Sequence, residues 1–240
     1  MINILRPGVS PSSLVTAEIQ SYITELADHL ADPTLVKPEK PGSYRNSDLL
    51  DAFDTVFHSK CYLTEEKFIN SYVMDIEHFV SQTVNPLLRY QWNNLYPAGH
   101  QANMNKPRIT PNGGWLDPCD PADDVETEII YSVSSFGKIP GFDPLDTNNI
   151  KAVNTCNLLE RLHNGTDEYS SKTSQSLRHA IETRYQEILH LIAEYGLTTD
   201  QNKLSQLKRE IKGLLSRKAS FTMLMRSMPA VKNLSQDFFD

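Results

Sequence analysis

Asp75-Ile76-Glu77-His78-Phe79 sets a carboxylate and an imidazole side by side between apolar residues, in a stretch that otherwise reads as a strand. A surface strand turning its polar residues to water is the simplest account. The sharper account makes Glu77 and His78 half of a site whose other half lies further along the chain. The stretch 87–106, LLRYQWNNLYPAGHQANMNK, offers that half in Asn94, His100, Asn103, Asn105 and Lys106. An asparagine pair before an apolar residue suits a loop, and GHQANMNK suits a helix opening after Pro97 and Gly99. Strand, loop and short helix then carry a histidine, an asparagine and a further histidine or asparagine, in that order.

That order resembles the ββα-metal unit of HNH nucleases, and phosphodiester cleavage asks for its parts. A general base must take a proton from the attacking water, and an imidazole with a pKa of about 6.5 does so near neutral pH. His78 is the candidate. One divalent cation, Mg²⁺ or Mn²⁺, must stabilise charge on the phosphate and the leaving oxygen. Glu77 and Asn103 are candidate ligands, with His100 as the alternative. Asn94 is placed to tie down the loop and orient the base, because its amide both donates and accepts. Lys106 and Arg108 are candidates for holding substrate phosphates.

The composition admits such an enzyme and narrows its partners. At 240 residues the chain can bury a sizeable core, and 39% hydrophobic with 22% charged residues describes a globular protein. No apolar run approaches the roughly 20 residues that cross a bilayer, so no membrane is expected and a cytoplasmic location is. Cys61, Cys119 and Cys156 are widely spaced and odd in number, which suits free thiols rather than a disulfide framework. The net charge of −7 argues against strong unaided binding of nucleic acid. Lys203, Lys208, Arg209, Lys212, Arg217 and Lys218 form a basic segment that reads as a solvated helix face or as a phosphate track.

Helical patterns flank the centre. Leu14, Ile19, Ile23, Leu26 and Leu30 recur at helical steps in residues 10–32, and residues 48–59 read as a second short helix. Helical patterns return over 145–165, 174–196 and 200–218, with Gly165 and Gly196 as stops for the first two. Ile19, Ile23, Leu204 and Leu207 face the core or a partner. His163, His179 and His190 fall in helices and read as structural, and Asp117, Asp120, Asp123 and Asp124 read as a turn leading to a helix start. The expected fold is mainly α with a small α+β core, a ββα-metal unit embedded in a helical frame. It forms a single domain over 1–240, with N-terminal helices in 1–60, the ββα core in 61–120 and a helical part in 121–240.

The blocks CYLTEEKF, DIEHF, LLRYQWNNLYPAGHQANMNK, GGWLDPCDP, NTCNLLERLHNG and ASFTMLMR together resemble the PtuB-type HNH endonucleases of Septu and retron antiphage defence systems. The resemblance reaches from about Leu5 to Arg226. It implies that His78 is the general base, Glu77 its acidic neighbour, Asn94 the middle asparagine and Asn103 the last letter of the motif. It also implies an ABC-type ATPase partner of the PtuA kind, a DNA or tRNA substrate and, in a retron, a reverse transcriptase with its DNA/RNA product. The family's two Cys-x-x-Cys pairs for a structural zinc fall here on Cys61 and Thr64 and on Gly99 and Ala102, so no structural zinc is expected. The alternative is a catalytically degenerate HNH-fold subunit serving as a scaffold or binding module in the same complex.

Overall fold

Apolar residues at helical spacing build most of the chain. The computed structural model describes residues 1–134 and 137–240. Its first helix, α1 (Ala17–Ala31), turns Ile19, Tyr22 and Leu26 inward. Thr16 caps it by accepting the Ile19 N–H at 3.3 Å. Leu14 is buried in a turn before this helix, while Leu30 is exposed, so the inward stripe ends at Leu26. Helix α2 (Ser47–Phe57) buries Leu49, Leu50, Phe53 and Phe57.

Next comes the unit that positions the candidate site. Strand β1 (Asp75–His78) pairs antiparallel with β2 (Leu95–Ala98), with Asp75 opposite Ala98 and His78 opposite Leu95. Helix α3 (His100–Asn105) starts two residues after β2. The long connection between the strands holds two short 3-10 turns, at Pro86–Leu88 and Trp92–Asn94. Tyr96, fully buried on β2, packs against Phe57, Tyr62 and Phe79. The Arg6 guanidinium lies 4.5 Å over Trp92 and 4.3 Å over Tyr96 and donates to the carbonyls of Trp92 and Leu95. Its stacking and hydrogen bonds together fasten the N-terminal segment across the start of β2.

A second hairpin, β3 (Ile129–Val133) with β4 (Pro140–Pro144), lies in the part expected to be helical throughout. The helices α4 (Ile150–Asn164), α5 (Glu168–Thr173), α6 (Gln175–Leu197), α7 (Gln201–Leu215), α8 (Thr222–Arg226) and α9 (Pro229–Lys232) follow. The described residues are thus mainly α with two small antiparallel sheets, and one hydrophobic cluster runs from Met1 and Leu14 to Phe238.

Several local expectations change. Gly196 does not stop its helix, because α6 continues to Leu197 and ends at Thr198, where Asp200 caps α7 by accepting the Asn202 N–H at 2.8 Å. The aspartates of residues 117–124 start no helix. Asp117, Asp120 and Asp124 each accept a backbone N–H two residues on, which makes successive turns that lead into β3. Asp123 pairs with Lys151 at 2.9 Å. In the basic segment Lys203, Lys208 and Arg217 pair with Glu194, Asp237 and Glu126, which favours a solvated face over a phosphate track. Ile19 and Leu207 are buried in the chain's own core and Ile23 packs against it.

Gly165 does end α4, at φ 77° and ψ 168°, a region open to glycine almost alone. A Cβ there would stand 2.3 Å from the Ser171 nitrogen. Gly165→Ala is expected to lower stability by about 2 kcal/mol or more in urea unfolding, since strain and overlap add. A loss below about 0.5 kcal/mol would contradict this reading of the cap.

Candidate functional site

Alternation along β1 decides where its polar residues go. Asp75 and Glu77 share one face and His78 takes the other. On α3, His100, Asn103 and Lys106 recur every three residues and line up along one side. The two rows meet. Asp75 Oδ2 accepts from His100 Nδ1 and from Asn103 Nδ2, both at 2.9 Å. One step along, Glu77 Oε1 pairs with the Lys106 ammonium at 2.5 Å. Lys106 also donates to the carbonyls of His78 and Phe79 at 3.2 Å, and its ammonium lies 4.9 Å over Trp115. Lys106, read from sequence as a substrate contact, is a buried cation that lines the cleft and is shared among three oxygen partners of the fold. Burial raises the Glu77 carboxyl above its usual range while Lys106 pulls it down.

On the other face, His78 is 7% exposed and makes two hydrogen bonds. Its Nε2 lies 3.0 Å from the Arg89 carbonyl, which can only accept, so Nε2 carries the proton. Its Nδ1 lies 3.1 Å from Gln82 Nε2. The Gln82 amide is itself oriented, because its oxygen accepts from the Arg89 guanidinium. These bonds define one neutral tautomer with the lone pair on Nδ1. Burial lowers the His78 pKa and keeps the ring neutral near pH 7. Tyr44 meets the ring edge-on at 5.4 Å, and Arg89 lies 4.9 Å over Tyr44.

Asn94 pins the long connection that carries Gln82 and Arg89. Its oxygen accepts the Val80 N–H at 2.7 Å, and its amide donates to the carbonyls of Val80 and Leu88 at 3.1 and 3.2 Å. Asn94→Ala is expected to cost about 1–3 kcal/mol by thermal or urea unfolding, because the half-buried Val80 N–H and carbonyl lose their partner while the Leu88 carbonyl keeps the Gln91 N–H. An unchanged midpoint would show that the connection is held by other contacts.

The rows and the connection border a cleft of about 540 Å³ lined by Glu77, His78, Gln82, Asn103, Lys106 and Arg108, among others. Arg108 is exposed on its wall, as is Lys40 from the segment before α2. His100 does not line this cleft and stands at the surface against Asp75, so of the expected metal ligands Glu77 and Asn103 line it. Because β1 ends here, Glu77 and His78 both reach the cleft from opposite faces.

Asp75, Gln82 and Arg89 escaped the sequence reading. Asp75 was discoverable, standing two residues before Glu77 on the same strand face. Gln82 and Arg89 lie in irregular chain, where no periodicity points to them.

Of the positions matched to zinc thiolates, only Cys61 retains sulfur, and it is buried. At Gly99 a Cβ would meet the Phe68 ring at 3.0 Å, with the Glu66 carboxylate 3.7 Å away. One thiol does not furnish a tetrahedral zinc site. The three histidines read as structural lie in helices: His163 is buried in α4, and His179 and His190 lie on the exposed side of α6. No described helix is long and apolar enough to cross a membrane. No protein-family model, curated protein or solved structure matches the chain.

Proposed function

We propose that this chain is a metal-dependent endonuclease of the HNH type, acting on DNA or tRNA as the effector of an antiphage defence system. The observation that carries the reading is His78: a buried neutral imidazole with its proton fixed on Nε2, at a cleft that a strand–turn–helix unit also lines with Glu77 and Asn103. A phosphodiester substrate enters along Arg108 and Lys40, whose charges meet its phosphates. Water reaches Nδ1 by taking the place of the Gln82 amide, and Nδ1 removes its proton as the water attacks phosphorus. The Arg89 carbonyl stabilises the imidazolium that results, through the Nε2–H bond.

The donor set suits a hard divalent ion. Glu77 offers carboxylate oxygen, and Asn103, whose Nδ2 is engaged by Asp75, offers amide oxygen at the same cleft. Mg²⁺ or Mn²⁺ held there would stabilise charge on the phosphate and the leaving oxygen. A net charge of −7 suits an effector that borrows nucleic-acid affinity from a partner, here an ABC-type ATPase of the PtuA kind and, in a retron, a reverse transcriptase with its DNA/RNA product.

A second reading has its own support: Lys106 already supplies a cation to Glu77, and Gln82 already occupies Nδ1. A degenerate subunit retained as a scaffold would look the same at those two contacts. The test is cleavage of DNA and tRNA by the chain co-expressed with a neighbouring ABC-type ATPase, if one is encoded, wild type against His78→Ala. Cleavage lost with His78 supports the nuclease, and intact nucleic acid under activating conditions supports the scaffold.

A further inference from the structure

We infer that Asp75 is a positioning residue that fixes the Asn103 amide with its oxygen turned toward the cleft; the inference rests on the metal-dependent reading above. An asparagine side chain presents a donor end and an acceptor end of nearly equal shape, and only its neighbours decide which end faces a ligand. Asn103 lies between two environments. One is the cleft it lines with Glu77 and His78, and the other is a second groove it lines with Asp75, Tyr44, Arg45 and Arg89. An ionised carboxylate accepts and cannot donate, so the Asn103 Nδ2 at 2.9 Å from Asp75 Oδ2 is held as the donor end. Trigonal geometry at the amide carbon then turns Oδ1 away from Asp75. Oxygen, not nitrogen, is the atom a divalent cation binds.

The arrangement follows from the backbone. Asp75 opens β1 opposite Ala98, and α3 begins two residues after Ala98, so the first turn of α3 must pass over Asp75. His100, three residues before Asn103, donates to the same Oδ2 at 2.9 Å. Two donors on one oxygen hold the carboxylate in a single rotamer behind Asn103. Asp75 does not line the cleft and touches no ligand there, so its effect passes through Asn103. This is how an outer residue tunes a metal ligand, and loss of such a partner lowers affinity roughly 10- to 100-fold.

The test is Mn²⁺ binding to the full chain, titrated calorimetrically and by the electron paramagnetic resonance signal of free Mn²⁺. Asp75→Ala removes the acceptor and is expected to weaken binding roughly 10- to 100-fold with little change in Tm. Asp75→Asn keeps an acceptor oxygen and is expected to recover part of the loss. In an Asn103→Ala background, Asp75→Ala should weaken binding no further, because the residue it orients is gone. Wild-type affinity in Asp75→Ala, or an equal further loss in the Asn103→Ala background, overturns the positioning role and leaves the nuclease reading standing. A wild-type chain that binds no Mn²⁺ overturns the metal-dependent reading itself. In the metal-free chain, the Asn103 side-chain NH₂ resonances should lose their exchange protection in Asp75→Ala, and unchanged protection overturns the contact directly.

Discussion

His78→Ala is expected to reduce nucleic-acid cleavage by roughly 10²- to 10⁴-fold while the chain stays folded. The first half of that expectation comes from chemistry: among the groups lining the cleft, His78 alone is a neutral base with its proton fixed on the far nitrogen. The second half comes from what the ring touches. Its partners are the Arg89 carbonyl, the Gln82 amide and the edge of Tyr44, all in the segments bordering the cleft rather than in the aromatic cluster around Tyr96. Two hydrogen bonds would be lost, a cost of about 1–3 kcal/mol. Asn94 and the Phe79 N–H to Asn94 carbonyl bond at 2.9 Å would still close the connection between the strands. Cleavage, thermal unfolding and ATPase association should be measured on the same preparations. Full cleavage by a folded His78→Ala chain would remove the nuclease assignment.

The contrast between Asp75 and Gln82 shows what a sequence reveals of such a site. Alternation on β1 and the three-residue step on α3 are local rules, so the strand, the turn asparagine and the helix could be placed in order from residues 75–106. The partners they select were less visible. Lys106 reads as a free cation until the backbone brings it onto Glu77, and His100 reads as an alternative metal ligand until Asp75 at the start of β1 engages it. Gln82 and Arg89 act through an irregular connection whose path is set by Asn94, a tertiary fact without a sequence period. The β3–β4 hairpin was overlooked for a different reason. Ile129 and Tyr131 alternate inward as a strand requires, but Pro140, Gly141 and Pro144 on its partner read as loop. They are tolerated because β4 pairs on one side only, in a sheet of two strands.

Acid is expected to destabilise the fold by about 3 kcal/mol through His163 alone. This ring is 1% exposed on α4, lies tilted 4.7 Å from the Phe142 ring and donates from Nδ1 to the Leu159 carbonyl at 2.8 Å. Its Nε2 makes no hydrogen bond, so protonation would add a buried charge that the Thr64 backbone offsets only weakly. Burial accordingly pushes its pKa down from 6.5 to about 4. The unfolded chain therefore binds the extra proton between about pH 6.5 and 4 and the folded chain does not. Stability from this group is complete above about pH 6.5 and is lost as pH falls toward 4, at 1.36 kcal/mol for each unit of difference. His78, also lowered by burial, adds loss of the same sign, whereas Glu77, raised by burial, opposes it. Comparing wild type with His163→Leu isolates one ring from the others. Urea unfolding at pH 7 and at pH 4.5 should show the variant losing markedly less stability between the two conditions, whatever its packing costs at pH 7. Parallel losses in both chains would mean that His163 takes up its proton in the fold as readily as in the unfolded chain, which overturns the lowered pKa.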